Sequence, residues 1–285
     1  MRSFIILLVA ALCLTAAAAS AAGEKLVFIT IGSVSLDEIT SSDLPNISRL
    51  IENGAIGVMN ARPANIRAIS DDAPVGRYSM EGGCATIGAG TRAAATTDAR
   101  KAYNSNDIID GRSIPQLYES LYGRNSSNAQ VLHLGLNRLE FINSEAKYPI
   151  EPGALGSVLK SKGYKTAAIG NSDTPTDSRR EASLIAADAY GIIDYGNVGT
   201  SLIQRDPTAP YGIRTNEHAL IEAFNSIVNK ADFIVVDTGD TSRAASYSLH
   251  CEDKQGERLR HQALKNADKI VGEIIKSIDL SRDRI

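Results

Sequence analysis

Two short apolar runs do most to restrict the fold: Leu26 to Ile31 (LVFITI), which stops at Gly32, and Asp232 to Asp237 (DFIVVD). Neither alternates apolar with polar residues, so neither turns one face to water. Both read as strands buried on two sides. Further strands are expected at Ala55–Ala61, Ala129–Leu134 and Tyr164–Ile169. Helical segments lie between and after them. The first is capped by Ser42 or Asp43, has Pro45 in its first turn, carries Ile47, Leu50 and Ile51 on one face and stops at Gly54. Others are expected over Ser113–Tyr122 (closed by Gly123), Ala154–Lys162 (closed by Gly163), Ser178–Tyr190 (ended by Gly191) and Asn216–Asn229. A last helix lines up Leu259, Ala263, Ala267, Ile270, Val271, Ile274 and Ile278. Alternating strands and helices predict an α/β fold, a doubly wound and mostly parallel sheet flanked by helices. The least regular stretch, Arg62 to Asn106, belongs with the loops at the strand C-termini, where such folds bind ligands.

Residues 1–22 read as a signal peptide: Arg2, an apolar run from Phe4 to Ala19, then Ser20, Ala21 and Ala22 as small residues for cleavage. The run is short for a membrane span of about 20 residues, although an uncleaved anchor is the alternative. Leu12 before Cys13 argues against lipidation, which wants a small residue there. No later segment is long and apolar enough to span a bilayer. The expectation is therefore an exported protein, periplasmic, extracellular or at the cell envelope, whose residues 23–285 form one α/β domain. Cys84 and Cys251 remain after cleavage; two cysteines can pair but do not make a disulfide scaffold, and no CxxC supports structural zinc. The net charge of −3 argues against nucleic acid as a partner, and the absence of Trp against a stacking platform. Asn46-Ile-Ser48 and Asn125-Ser-Ser127 match glycosylation acceptors, relevant only in a eukaryotic secretory pathway.

Several segments, in order, resemble the alkaline phosphatase superfamily, the fold shared with sulfatases, nucleotide pyrophosphatases and cofactor-independent phosphoglycerate mutases. They are Leu44–Ala55 (LPNISRLIENGA), Gly88–Ala93 (GAGTRA), Leu159–Gly170 (LKSKGYKTAAIG) and Ala263–Ile278 with Asp268 and Gly272. Gly57–Arg62 (GVMNAR), Gly170–Thr174 (GNSDT) and Gly239–Arg243 (GDTSR) are similar to segments of exported bacterial members. The resemblance runs from about residue 25 to 280. It implies a Ser or Thr nucleophile between two divalent metals, which lower its pKa and neutralise charge on phosphate oxygens. The chain departs from that pattern three times. Ile31 stands before Gly32 where an Asp belongs, leaving Thr30, Ser33 and Ser35 as poor ligands; Arg243 and Ala244 stand where a His belongs; and Ile285 ends the sequence before the expected Asp-His strand, as a truncated reading of a longer protein would. A standard two-zinc site cannot be built from these residues.

The candidate nucleophile is Ser79, at the start of the helix holding Gly82, Gly83 and Cys84, with Thr86 and Thr91 as rivals; the competing role for Ser79 is a helix cap. Arg92 is a candidate anion ligand or a structural ion-pair partner. Asn171 and Asp173 face the cleft or form a plain turn. Asp237 and Asp240 share a cation, or Arg243 satisfies one of them instead. His133, His218, His250 and His261 show no ligand spacing. The resulting expectation is an exported hydrolase of phosphoric esters with a reduced metal site (Zn, Mn or Mg), acting on a small phosphorylated or anionic ligand. Its alternative is a non-catalytic envelope protein that needs no metal and uses the same cleft for binding.

Overall fold

A computed structural model describes residues 24–59, 63–64, 79–126 and 128–285. The signal segment and residues 60–62 lie outside the described residues. At the centre is a four-stranded sheet of β1 (Leu26–Thr30), β6 (Thr166–Ile169), β8 (Tyr195–Asn197) and β11 (Phe233–Asp237), in the order β1-β11-β6-β8 and parallel throughout. The two apolar runs are adjacent, with Leu26 opposite Phe233 and Thr30 opposite Asp237.

β11 lacks alternation for the expected reason, since all its residues are buried, whereas β1, at the end of the sheet order, buries Val27 and leaves Leu26 exposed. Val27, Ala167, Ile169, Ile234 and Val236 pack on one side against Leu220, Phe224 and Ile227 of α7 (Glu217–Ile227) and Ile270 and Ile274 of α9 (Asp253–Lys276). Phe28, Ala168, Phe233 and Val235 pack on the other against Cys84 and Ala85 of α3 (Met80–Ala89) and the Leu184–Ala187 segment. The fold is α/β, a parallel sheet flanked by helices, as the sequence predicts. The outer edge of β1 begins a further parallel pairing: Val27 N–H donates to Arg284 O and Arg284 N–H to Lys25 O, both at 2.8 Å.

The remaining helices are α1 (Leu36–Ser41), α2 (Pro45–Asn53), α4 (Ile114–Tyr122), α5 (Leu136–Asn143), α6 (Ala154–Ser161) and α8 (Asp240–Ser248). Small antiparallel sheets complete the described structure: β2 (Ala102–Asn104), β5 (Val131–His133) and β7 (Ile192–Ile193); β3 (Ile108–Ile109) with β4 (Arg112–Ser113); and β9 (Ile203–Arg205) with β10 (Ile213–Thr215).

Several expectations need correction. The strand near 129–134 exists as β5, but it pairs antiparallel with β2 and β7, outside the central sheet. Residues 55–59 form no strand and expose Ile56, Val58 and Met59. Ser178–Tyr190 is not a helix: only Glu181–Ile185 turns, as 3₁₀, because the Asp173 carboxylate captures the Arg179 N–H (2.7 Å) and the Arg180 guanidinium ahead of it. Neither Ser42 nor Asp43 caps α2. Its N-cap is Leu44, and Asp268 of α9 reaches across to accept from Asn46 N (3.0 Å) and Ile47 N (2.8 Å). The Asn46 amide also donates to Asp268, so this acceptor asparagine is tied into the packing. Cys84 and Cys251 are unpaired.

Candidate functional site

Parallel neighbours deliver their following loops to the same edge, and β6 and β11 do so here. β6 runs into Gly170, Asn171, Ser172 and Asp173; β11 ends in Asp237 and runs into Thr238, Gly239 and α8. Gly170 sits at φ +94°, and a Cβ there would collide with the Asp237 carbonyl, so only glycine lets the loops approach so closely.

Arg243, fully buried, joins them. Its Nη1 donates to Asn171 O (3.1 Å) and Asp173 O (3.3 Å), and its Nη2 to Asp240 Oδ1 (3.0 Å) and to the Thr215 hydroxyl at the end of β10. Asp240 is satisfied further by Thr215 N on Oδ1 (2.9 Å) and Asn266 Nδ2 on Oδ2 (3.2 Å). Asp237 accepts from Ser172 Oγ (2.8 Å), Gly239 N (3.0 Å) and Thr30 Oγ1 (3.3 Å). Burial pushes its carboxyl above the usual aspartate range, against the Ser172 hydroxyl and the Arg243 charge. Asp173 holds Arg180, with Nη2–Oδ2 at 2.8 Å. Asn171 spends its amide on Val198 O and Gly199 O.

A divalent cation therefore does not fit the Asp237/Asp240 pair. Every carboxylate oxygen already faces a protein donor, and the Arg243 guanidinium supplies fixed positive charge beside Asp240. Among the described residues, no group of three or more His, Cys, Asp and Glu is arranged to hold a metal ion.

Five expected site residues, Asn171, Asp173, Asp237, Asp240 and Arg243, thus converge in one network. Ser79 adjoins it: it caps α3, its Oγ accepting from Gly82 N (3.1 Å), and the next residue, Met80, lies against Gly32 and Ser242. Arg92 follows the left-handed Gly90 that ends α3, at the far end of that helix from Ser79, and donates to Pro63 O (3.3 Å).

Two open pockets flank the network. One of about 310 Å³ brings Arg214, Arg258 and Lys269 near Asp240; the other, about 480 Å³, is lined by Asp173, Arg180 and Arg205. Sequence reasoning missed Thr215, Arg180 and a buried acid pair, Glu81 and Glu181. The only signal was the Arg179-Arg180-Glu181 cluster, which falls within the helix expected over Ser178–Tyr190. Glu81 pairs with Arg100 (Nε–Oε1 2.7 Å). Burial, then the Glu81 charge, push Glu181 up to about 8. Burial also drives the Cys84 thiol well up, which keeps it protonated.

No family model matches the chain, and no curated protein does. Among solved structures, the PH0037 protein from Pyrococcus horikoshii is similar over 92% of this chain and 76% of that one, at 14% identity and a TM-score of 0.41.

Proposed function

We propose that this is an exported protein on an alkaline phosphatase-like α/β fold that binds a small phosphorylated or anionic ligand at the C-terminal edge of its sheet, without metal-assisted hydrolysis. One observation carries the reading. The acids that would hold a metal are spent on protein donors, with Arg243 charge-paired to Asp240 at 3.0 Å. A fixed guanidinium in that position offsets the acids without offering a Lewis acid or an activated nucleophile. In the smaller flanking pocket Arg258 and Lys269 add positive charge beside the Arg214–Asp206 pair, which suits an anionic ligand. Export is supported by the apolar run between Phe4 and Ala19 and the small residues after it.

Hydrolysis of p-nitrophenyl phosphate and bis-p-nitrophenyl phosphate in Zn²⁺, Mn²⁺ or Mg²⁺ tests the reading, alongside elemental analysis of the purified protein. The expected result is no turnover above buffer and no stoichiometric metal. Metal-dependent turnover that disappears in Asp237→Ala overturns it in favour of the hydrolase. Mass spectrometry of the mature N-terminus tests export: loss of about the first 22 residues is expected, and a retained Met1 refutes cleavage.

A further inference from the structure

We propose that the junction of three elements, the first turn of α3, the 177–181 loop and the first turn of α8, is a binding site for a small oxyanion, held by the Thr241 and Ser242 hydroxyls, Arg179 Nε and the Glu181 carboxyl. The inference rests on the binding reading above and names its ligand class and residues.

Four buried side-chain atoms here have no hydrogen-bond partner: Arg179 Nε, Glu181 Oε2, Thr241 Oγ1 and Ser242 Oγ. The fifth such atom among the described residues, Tyr118 Oη, belongs to a separate cluster under α4. A buried polar atom left unpaired costs about 1–3 kcal/mol, and in native interiors each such group calls for an explanation. Four on adjoining elements mark a place where the protein expects another molecule. Thr241, Ser242 and Glu181 are only 3%, 6% and 4% exposed, so bulk water does not satisfy them.

The elements touch. A Cβ on Gly32 would strike Ser242 Oγ and the Met80 thioether together, which puts that hydroxyl at the α3 N-terminus. Arg179 Nη1 donates to Ser246 Oγ (2.6 Å), one turn along α8 from Ser242. Glu181 opens the 3₁₀ turn packed beneath α3.

The chemistry selects the ligand. Arg179 Nε–H and the two hydroxyls are donors. The titratable groups facing Glu181 are Glu81 and Cys84 of α3, Arg100 and Asp237; burial and the Glu81 and Asp237 charges outweigh the opposing Arg100 charge and keep its carboxyl protonated at neutral pH, a fourth donor. A donor-lined site recognises acceptors. The first turns of α3 (10 residues) and α8 (9 residues) add helix N-termini, which favour negative charge. A tetrahedral or carboxylate oxyanion meets these requirements, and the Arg179 Nε–H beside the hydroxyls disfavours a cation.

The test is calorimetric titration of the whole protein with inorganic phosphate, sulfate, acetate and p-nitrophenyl phosphate, in chelator. Saturable, metal-independent binding of at least inorganic phosphate is expected; p-nitrophenyl phosphate binding as well would mark the ligand as a phosphoester headgroup rather than the free ion. Ser242→Ala and Thr241→Val should each weaken binding about five- to tenfold. Both should fold at least as stably as wild type, since each deletes an unpaired group. Glu181→Gln, which keeps a donor, should bind with no loss of affinity between about pH 6 and about pH 9, whereas wild type weakens over that range. Lys276→Ala, exposed and paired with Glu273, controls for net charge and should bind as wild type does. Failure of all four probes to bind overturns the site, as does binding insensitive to Ser242 and Thr241. Insensitive binding spares the broader anion-binding reading by moving the ligand to another pocket. Metal-dependent binding accompanied by turnover overturns both.

Discussion

Arg243 and Asp240, three residues apart on the first turn of α8, form an ion pair in which the guanidinium is wholly buried and the aspartate 5% exposed. The same guanidinium bonds the carbonyls of Asn171 and Asp173, so one side chain ties β11's loop to β6's and to Thr215 of β10. Removing one partner of a buried pair strands the other charge. Arg243→Met should therefore cost about 3–5 kcal/mol, and Arg243→Met/Asp240→Asn should recover part of it. Urea denaturation of both proteins checks this. Equal stability of Arg243→Met and wild type would mean the pair is not formed.

Asp268 illustrates a motif residue with a structural job. Its carboxylate caps α2 from another helix, accepting from two backbone N–H groups and the Asn46 amide. Gly272, one turn on, lies where a Cβ would run into the Asn46 side chain. Asp268→Ala should cost about 1–3 kcal/mol, and Gly272→Ala should also destabilise. Their sum should exceed the double variant, since both act on Asn46. Denaturation midpoints of the three proteins decide it, and additive losses would show the two sites to be independent.

Elements written in local signals were legible. Ser113 caps α4 in a capping box with Gln116, and Gly123 closes it at φ +62°, so three residues define that helix without tertiary help. Likewise β11 announces its two-sided burial by composition. What the sequence concealed was non-local. Ser178–Tyr190 has helix-compatible residues, yet Asp173 intercepts its first turn. Ala55–Met59 has strand-forming residues, but a strand exists only with a partner, and these residues have none among the described residues. At the site, parallel topology brings the loops of Asn171/Asp173 and Asp237/Asp240 to one sheet edge, where Arg243 links them. Arg243 was visible as a substitute for histidine, while the carbonyls it binds were not. Glu181 showed only as part of the Arg179-Arg180-Glu181 cluster, and on a helix over Ser178–Tyr190 such a charged run reads as solvated.

His133 should set the acid limb of stability. It is fully buried, its Nε2 lies 2.9 Å from Ala99 O, and its Nδ1 accepts from Gly135 N (3.2 Å), which fixes the neutral tautomer. Burial holds its pKa down to about 4, against 6.5 in the ordinary case. Between those values the unfolded chain binds the proton and the folded chain does not, so stability falls as pH drops through that window, by about 3 kcal/mol at most. His133→Gln does not titrate and should lose this slope. A variant that keeps the wild-type acid slope between about pH 6.5 and pH 4 would transfer the effect to other groups.

Glu181 works in the opposite direction. Its folded pKa of about 8 stands above the ordinary 4.5, with burial the larger cause and the Glu81 charge the next. Over that interval the folded protein holds a proton that the unfolded chain has released. Stability is therefore highest below about pH 4.5 as far as this group is concerned, declines as pH rises, and levels off above about 8. The full swing is several kcal/mol at the theoretical limit of about 1.4 kcal/mol per pH unit, and local opening to water would reduce it. From pH 4.5 to 6.5 the His133 slope opposes this decline, so the Glu181 effect is isolated above about 6.5. Glu181→Gln, neutral throughout, should flatten the profile there and exceed wild type in stability at about pH 9. The comparison is made by urea unfolding of both proteins across pH. If their curves stay parallel from about 6.5 to 8, Glu181 is already ionised in the folded protein, and it is not a donor at neutral pH.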